Sequence, residues 1–375
     1  MIELNGKHNS AKVFIDNVDT GTISQIIELC NQKFAKDSKI RIMPDCHVGA
    51  GCTIGTTMTI TDKIVPNLVG VDIGCGVCCY RLGKIDIDFK KLDKFINESI
   101  PSGFKVNKES PIEFKQYLEK LRCLDGLSKS ISFFEKSMGT LGGGNHFIEV
   151  NVDFDGEYYL TIHSGSRNLG KQVAEYYQKK AIEYCTEKYK DSEDKKPKDA
   201  LCYLEGDLMQ DYLHDMNIVQ VYATFNRELM VVKIARHLGL NPFEIDGIES
   251  VHNFIDMKNM ILRKGAIPAE RGQGVIIPLN MKDGSIIGIG KGNEDWNCSA
   301  PHGAGRVLGR GQAKRELDLE HFKDMMKDVY TTSVNESTLD ESPQAYKPMD
   351  WILSNINETV EVLTIIKPVY SFKSN

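Results

Sequence analysis

The sequence has no apolar run approaching the roughly 18 residues that a membrane-crossing helix needs, and its opening residues, Met1 to Lys7, contain no apolar signal core. No membrane contact is therefore expected, and a cytoplasmic protein is. Nor is there an excess of positive charge: 46 Lys and Arg against 52 Asp and Glu leave a net charge of -6, so no overall field draws nucleic acid. Any RNA or nucleotide partner must be held by a local cluster of Arg, Lys and backbone N–H groups. A stacking-aromatic motif is also missing, which argues against a plain, non-catalytic RNA-binding module. Ten cysteines without a secretion signal favour free thiols plus one or two ligands over a disulfide framework. Cys30, Cys123, Cys185 and Cys202 lie in helix-like runs and read as core. Cys75-Gly76-Val77-Cys78 spells a C-x-x-C, but no second one exists, so the redox or zinc-ribbon reading gives way to a buried strand over 78–82.

What is present is a globular composition, 41% hydrophobic and 26% charged over 375 residues. Many strands interspersed with helices, without a βαβ repeat, predict one α+β domain over 1–375, built of antiparallel or mixed sheets around a metal cleft. Alternation and periodicity predict a strand over 11–16 and a helix over 22–34 burying Ile23, Ile27, Cys30 and Phe34. A strand over 40–43 and successive strands over 53–82 follow, one of them ending at Leu68-Val69-Gly70-Val71. Residues 86–136 read as charged and largely helical. Helical spacing over 207–238, beyond a helix over 172–188 and a solvated charge run, marks a helical insertion at about 170–240, a candidate lid or RNA-facing subdomain. Its histidines, His214 and His237, read as structural or solvated. Further helices are expected over 314–327 and 349–359, and a strand over 361–366.

The chemistry is concentrated in glycine-rich turns. Val71-Asp72-Ile73-Gly74-Cys75-Gly76-Val77 places a carboxylate and a thiol three residues apart where glycines allow close approach, a common way to hold a metal. On this reading Asp72 and Cys75 sit just past a strand end. Pro44-Asp45-Cys46-His47-Val48-Gly49-Ala50-Gly51 packs a carboxylate, a thiol and an imidazole into a second turn. Gly142-Gly143-Gly144-Asn145-His146 frees backbone N–H groups to face an anion before the Phe147–Val150 strand. A strand over 158–162 delivers His163 into Ser164-Gly165-Ser166-Arg167, a metal ligand beside a phosphate-binding arginine or a satisfied interfacial histidine. His252 lies in a stretch too thinly patterned to settle strand against loop, and Asn253 beside it can orient a ligand or phosphate. Arg263 to Ala269 reads as a basic turn, and 280–285 as a polar loop that caps a ligand. In Pro301-His302-Gly303-Ala304-Gly305-Arg306, glycines clear space around an imidazole, with Arg306 one turn on if a helix starts there. That suits a nucleophile better than a buried ligand. His146, His163, His252 and His302 are expected to converge on Asp72 and Cys75.

Taken in order over nearly the whole chain, Met43-Pro44-Asp45, Asp72-Ile73-Gly74-Cys75-Gly76, Gly144-Asn145-His146-Phe147, His163-Ser164-Gly165-Ser166-Arg167 and His302-Gly303-Ala304-Gly305-Arg306 resemble the RtcB-type RNA ligases. The resemblance implies a ligase that joins RNA 3′-phosphate or 2′,3′-cyclic phosphate ends to 5′-hydroxyl ends, in RNA repair or tRNA splicing. It implies GTP and two Mn²⁺ ions, with Zn²⁺ equally suited to the donor types, and leaves room for an activating protein. Broken or cleaved tRNA, or another RNA, would be the substrate. It makes Cys75 a thiolate bridging two metals, Asp72 and His146 ligands of one, and His163 and His252 ligands of the other. His302 becomes the nucleophile that takes GMP, with Asp45 orienting it through its other nitrogen. Glu149, Ser285, Tyr346 and Lys373 become guanine contacts, and Asn145, Arg167 and Arg306 phosphate contacts. One loop departs from the family: Pro278-Leu279-Asn280-Met281 stands where many members have Pro-Gly-Ser-Met, so the phosphate-facing serine position is Asn280. A competing reading is a dinuclear metal phosphoesterase that processes RNA ends without joining them.

Overall fold

Period-two alternation in three neighbouring strands decides which side chains reach the cleft. In the computed structural model, which describes residues 1–374, a seven-stranded sheet runs in the order Gly247–Val251, Gly76–Gly83, Tyr158–Ser164, Phe147–Val152, Val360–Lys373, Gly284–Gly290 and Gly274–Asn280, antiparallel throughout. Leu160, Ile162, Ile148, Val150, Tyr370 and Phe372 enter one apolar cluster with Met230, Val231 and Ile234 of the helix Gly206–His237. Their alternate neighbours must face the other way. Thr161, His163, Phe147, Glu149, Ser371 and Lys373 are those neighbours, and the register sets Phe147 beside both His163 and Lys373, and Glu149 beside Thr161 and Ser371. Burying the apolar face thus aims the polar one.

A six-stranded sheet, ordered Ile2–Asn5, Ser10–Val13, Ile40–His47, Ile54–Thr59, Ile261–Lys264, Asn253–Asp256, lies alongside. Its one parallel pair, Ser10–Val13 with Ile40–His47, is joined through the helix Thr20–Cys30, capped by Asp19. The α+β class and single domain stand as expected. Among the described residues, no helix is long and apolar enough to cross a membrane.

Several local expectations are corrected. The first helix, started by the Asp19 cap, buries Ile26, Leu29 and Cys30, while Ile23 and Ile27 are only half-buried. Pro44 to His47 continue a strand, and the turn begins at Val48. Residues 68–71 form no strand: Pro66 opens a short 3₁₀ turn, so Asp72 and Cys75 precede the Gly76–Gly83 strand. Between 86 and 136 the helices are short, covering 89–99, 115–118 and 131–137. The helices Arg167–Lys188 and Gly206–His237 are no lid: Tyr177, Tyr212, Met216 and Val219 belong to the largest core cluster. The basic turn is absent, since Arg263 and Lys264 are buried in a strand. No helix starts at His302; the next begins at Arg310, and the expected helix over 314–327 divides into Arg310–Glu316 and Leu319–Met325. The last helix ends at Asn355, and the last strand runs on to Lys373 through Pro368 at a register shift.

Candidate active site

The loop carrying Asp72 and Cys75 is clamped from three sides before any ligand is considered. His252 N donates to the Cys75 carbonyl (2.9 Å), Gly74 N to the Asn253 carbonyl (2.8 Å), and Asn253 Nδ2 to the Asp72 carbonyl (3.2 Å). From beneath, the fully buried Arg227 donates to the carbonyls of Gly74 (2.9 Å) and Ser164 (2.7 Å) and pairs with Glu249 (2.7 Å). Gly165 must lack a side chain, because a Cβ there would stand 2.1 Å from Asp72 Oδ1. A Cβ on Gly142, whose φ is +89°, would strike Arg167 at 1.6 Å.

Two imidazoles aim at the thiol through the same nitrogen. His146 Nδ1 lies 2.9 Å from the Leu141 carbonyl and His163 Nδ1 3.1 Å from the Asn145 carbonyl. A carbonyl only accepts, so both Nδ1 atoms carry the proton and both Nε2 atoms present lone pairs. Those Nε2 atoms stand 3.5 and 3.2 Å from Cys75 Sγ. Nitrogen and sulfur ligands held about 2.0–2.3 Å from one tetrahedral cation stand about 3.5 Å from each other, so this buried trio fits a metal. Asp72 Oδ2 is 3.1 Å from His146 Nε2. Burial works against the Asp72 charge, while Cys75 and nearby Arg167 favour it. His252 continues the row, its ring centroid 5.1 Å from that of His163 and 4.9 Å from that of His302. Among the described residues, its buried Nδ1 has no hydrogen-bond partner. Burial keeps His163 and His252 well below the ordinary imidazole value, so both are neutral lone-pair donors.

His302 is held differently. Its Nδ1 lies 2.6 Å from Oδ2 of the fully buried Asp45, which also accepts from the His302 backbone N–H at 3.1 Å. The carboxylate fixes the proton on Nδ1 and leaves Nε2 with a free lone pair. His302 lines a cleft of about 890 Å³ whose walls include Asn145, His163, Glu149, Lys373, Tyr346, Arg306 and Asn280. Burial lifts Glu149 to about 7 although Lys373 pulls the other way.

Not every expected contact faces this cleft. Arg167 turns its guanidinium to Thr140 Oγ1 (3.1 Å) and the Gly103 carbonyl (2.7 Å), bracing the glycine loop. Ser285 is buried between strands, off the cleft wall among the described residues. Asn280 lines the cleft but closes its own turn, accepting from Lys282 N and Asp283 N and donating to Asp283. Arg306 bonds Glu341 and Tyr346 rather than reaching out from a helix.

The family model described as tRNA-splicing ligase RtcB matches residues 25–374. The chain belongs to the RtcB family. It is 29% identical to the RNA-splicing ligase RtcB of Escherichia coli K12 over 89% of this chain and 90% of that protein. It is likewise 29% identical to the tRNA-splicing ligase RtcB of Aeropyrum pernix, over 82% of each, and 28% identical to that of Nanoarchaeum equitans, over 84% of each.

Within this RtcB chain, three supporting residues escape a reading by motif. Arg227 and its neighbour Asn226, which bonds Thr140 N, Ser164 Oγ and the Gly165 carbonyl, sit on a largely apolar buried helix face. A polar pair at apolar spacing was the available signal. Glu341, on the cleft wall, lies in Asp340-Glu341-Ser342-Pro343, which reads as a solvated turn and gives none.

Proposed function

We propose that this RtcB-family enzyme is an RNA ligase that joins RNA 3′-phosphate or 2′,3′-cyclic phosphate ends to 5′-hydroxyl ends, using GTP and Mn²⁺ through a GMP adduct on His302. The observation that carries the reading is the Asp45–His302 pair, an imidazole with a fixed tautomer opening on a nucleotide-sized cleft beside a Cys/His cluster. His302 Nε2 forms a bond to the α-phosphorus of GTP as the bond to the β-phosphate oxygen breaks, and pyrophosphate departs. Asp45 retains the Nδ1 proton and balances the positive charge that the ring acquires. The GMP then passes to an RNA 3′-phosphate, and the 5′-hydroxyl of the second end displaces it. Cys75, Asp72, His146, His163 and His252 would hold the metal, whose chemistry is to withdraw charge from the phosphate oxygens. Mn²⁺ rather than Zn²⁺ comes from the family resemblance, so both ions belong in the test.

Incubation of the metal-loaded protein with α-labelled GTP is expected to leave acid-labile label on the chain, whereas γ-labelled GTP or α-labelled ATP leaves none. A folded, metal-loaded protein that takes no label from GTP would favour the phosphoesterase reading instead.

Base selection supplies a pH dependence. Guanine offers N1–H and N2–H donors and an O6 acceptor on one edge, and Glu149 and Lys373 supply an acceptor and a donor on one wall; adenine lacks that pattern. Only the ionised carboxylate accepts both donors. Because Glu149 titrates near 7, GTP affinity should weaken as pH falls below 7, by about tenfold per pH unit at most. Glu149→Gln, measured by calorimetric titration, should bind GTP weakly at every pH and show no such limb; a wild-type affinity that is flat from pH 5.5 to 8 would remove Glu149 from the base contact.

A further inference from the structure

Glu341 is almost fully buried, 2% exposed, and both its oxygens are occupied by four donors from three segments of the cleft wall. Oε2 takes Lys373 Nζ and Tyr346 Oη, each at 2.8 Å; Oε1 takes Arg310 Nη1 at 2.8 Å and Arg306 Nη1 at 3.3 Å. Burial opposes its charge, but Lys373 and Arg310 outweigh that and hold it near 2. A second buried carboxylate lies close by. Lys373 sits over the Phe147 ring, 5.3 Å from its centroid, and pairs in register with Phe147, two residues before Glu149. Glu149 has the Ser371 hydroxyl as a hydrogen-bond donor at 3.0 Å, while the lysine bonds Glu341. One ammonium thus bonds Glu341 and acts on Glu149 through its charge alone.

We infer that Glu341 is a positioning residue: by holding Lys373, with Tyr346 and the two arginines, it keeps the ammonium off Glu149, so that the cleft wall presents a separate acceptor and donor to an entering ligand. Without Glu341 the lysine would turn to Glu149, and an internal ion pair would consume both groups. An ion pair formed inside the wall competes directly with recognition of a base edge. The inference rests on the reading of Glu149 and Lys373 as base contacts, but its first consequence appears without nucleotide.

Glu341→Gln keeps the length and accepting oxygen of the side chain and removes its charge. The groups facing Glu149 are Thr161 and, further along, His163 from one neighbouring strand, Ser371 and Lys373 from the other, and Asn151 on its own strand. Lys373 is therefore the cation able to respond. With ¹³C-carboxyl-labelled glutamate, the Glu149 midpoint, assigned by its loss in Glu149→Gln, is expected to fall by one pH unit or more in Glu341→Gln. The added Lys373→Met substitution should abolish that fall. GTP affinity should drop about tenfold at pH 8, with its acid limb moved to lower pH. If Glu341→Gln does not fold, Glu341→Asp is read the same way, its shorter arm loosening Lys373 and lowering the midpoint less. An unchanged Glu149 midpoint in a folded variant overturns the inference. A shifted midpoint in a protein that never binds GTP overturns only the nucleotide reading.

Discussion

His302→Ala is expected to abolish labelling by α-labelled GTP and to lower RNA joining by at least about 10³-fold, with metal content and unfolding midpoint close to those of the parent. The loss should be this large because His302 is the cleft imidazole with a carboxylate on its far nitrogen, whereas His47, on the same wall, has only the Asp45 backbone carbonyl there. His146 and His163 point their lone pairs at Cys75, and His252 is buried beside them. Asp45→Asn separates orientation from charge. An asparagine still accepts from the His302 backbone and ring, but it does not balance the charge that the ring gains on attack. It should lower the labelling rate by about 10²- to 10⁴-fold while leaving GTP binding in place. Label that persists on His302→Ala at the parent rate would place the nucleophile elsewhere and would sink the adduct as drawn.

The residues that bear chemistry were far more legible in the sequence than the backbone that carries them. Asp72, Cys75, His146, His163, His252 and His302 do come together, because unusual side chains in glycine-rich turns are visible without knowing the direction of any strand. The direction itself was misread. Leu68-Val69-Gly70-Val71 has the composition of a buried strand, yet Pro66 removes an N–H and sets a 3₁₀ turn, so the Asp72–Cys75 loop enters its strand instead of leaving one. The α+β class was legible from alternation.

Buried charge was the main blind spot. Arg227, Arg263, Lys264 and Glu341 each look like surface residues in a sequence window, yet each is buried with at least one partner tens or hundreds of residues away. The same logic explains why Arg167 was expected on a phosphate. Its neighbours Ser164-Gly165-Ser166 suggest an anion site, but Gly103 and Thr140, distant in sequence, claim the guanidinium.

Cys75→Ser makes the sharpest test of the metal cluster because it changes one atom in a place where three ligand directions meet. A serine hydroxyl is harder and does not ionise near neutral pH as a metal-bound thiol does, and its shorter C–O bond withdraws it from both imidazoles. Cys75 Sγ lies within 3.5 Å of both His146 and His163 Nε2, so the substitution weakens either cation those nitrogens would share with it. After reconstitution with Mn²⁺ or Zn²⁺, elemental analysis should find Cys75→Ser retaining a small fraction of the parent's metal, with both joining and labelling lost. His252→Ala should behave differently. Its ring stands next to His163 and away from His146, so a site with two ions should lose one and keep the other. Equal losses in the two variants would mean a single ion that needs His252 as well as Cys75, and no loss in His252→Ala would mean an ion held by Cys75, His146 and His163 alone. Full metal content in Cys75→Ser would mean that the thiol is only a buried core group, and the bridging role would fall with it.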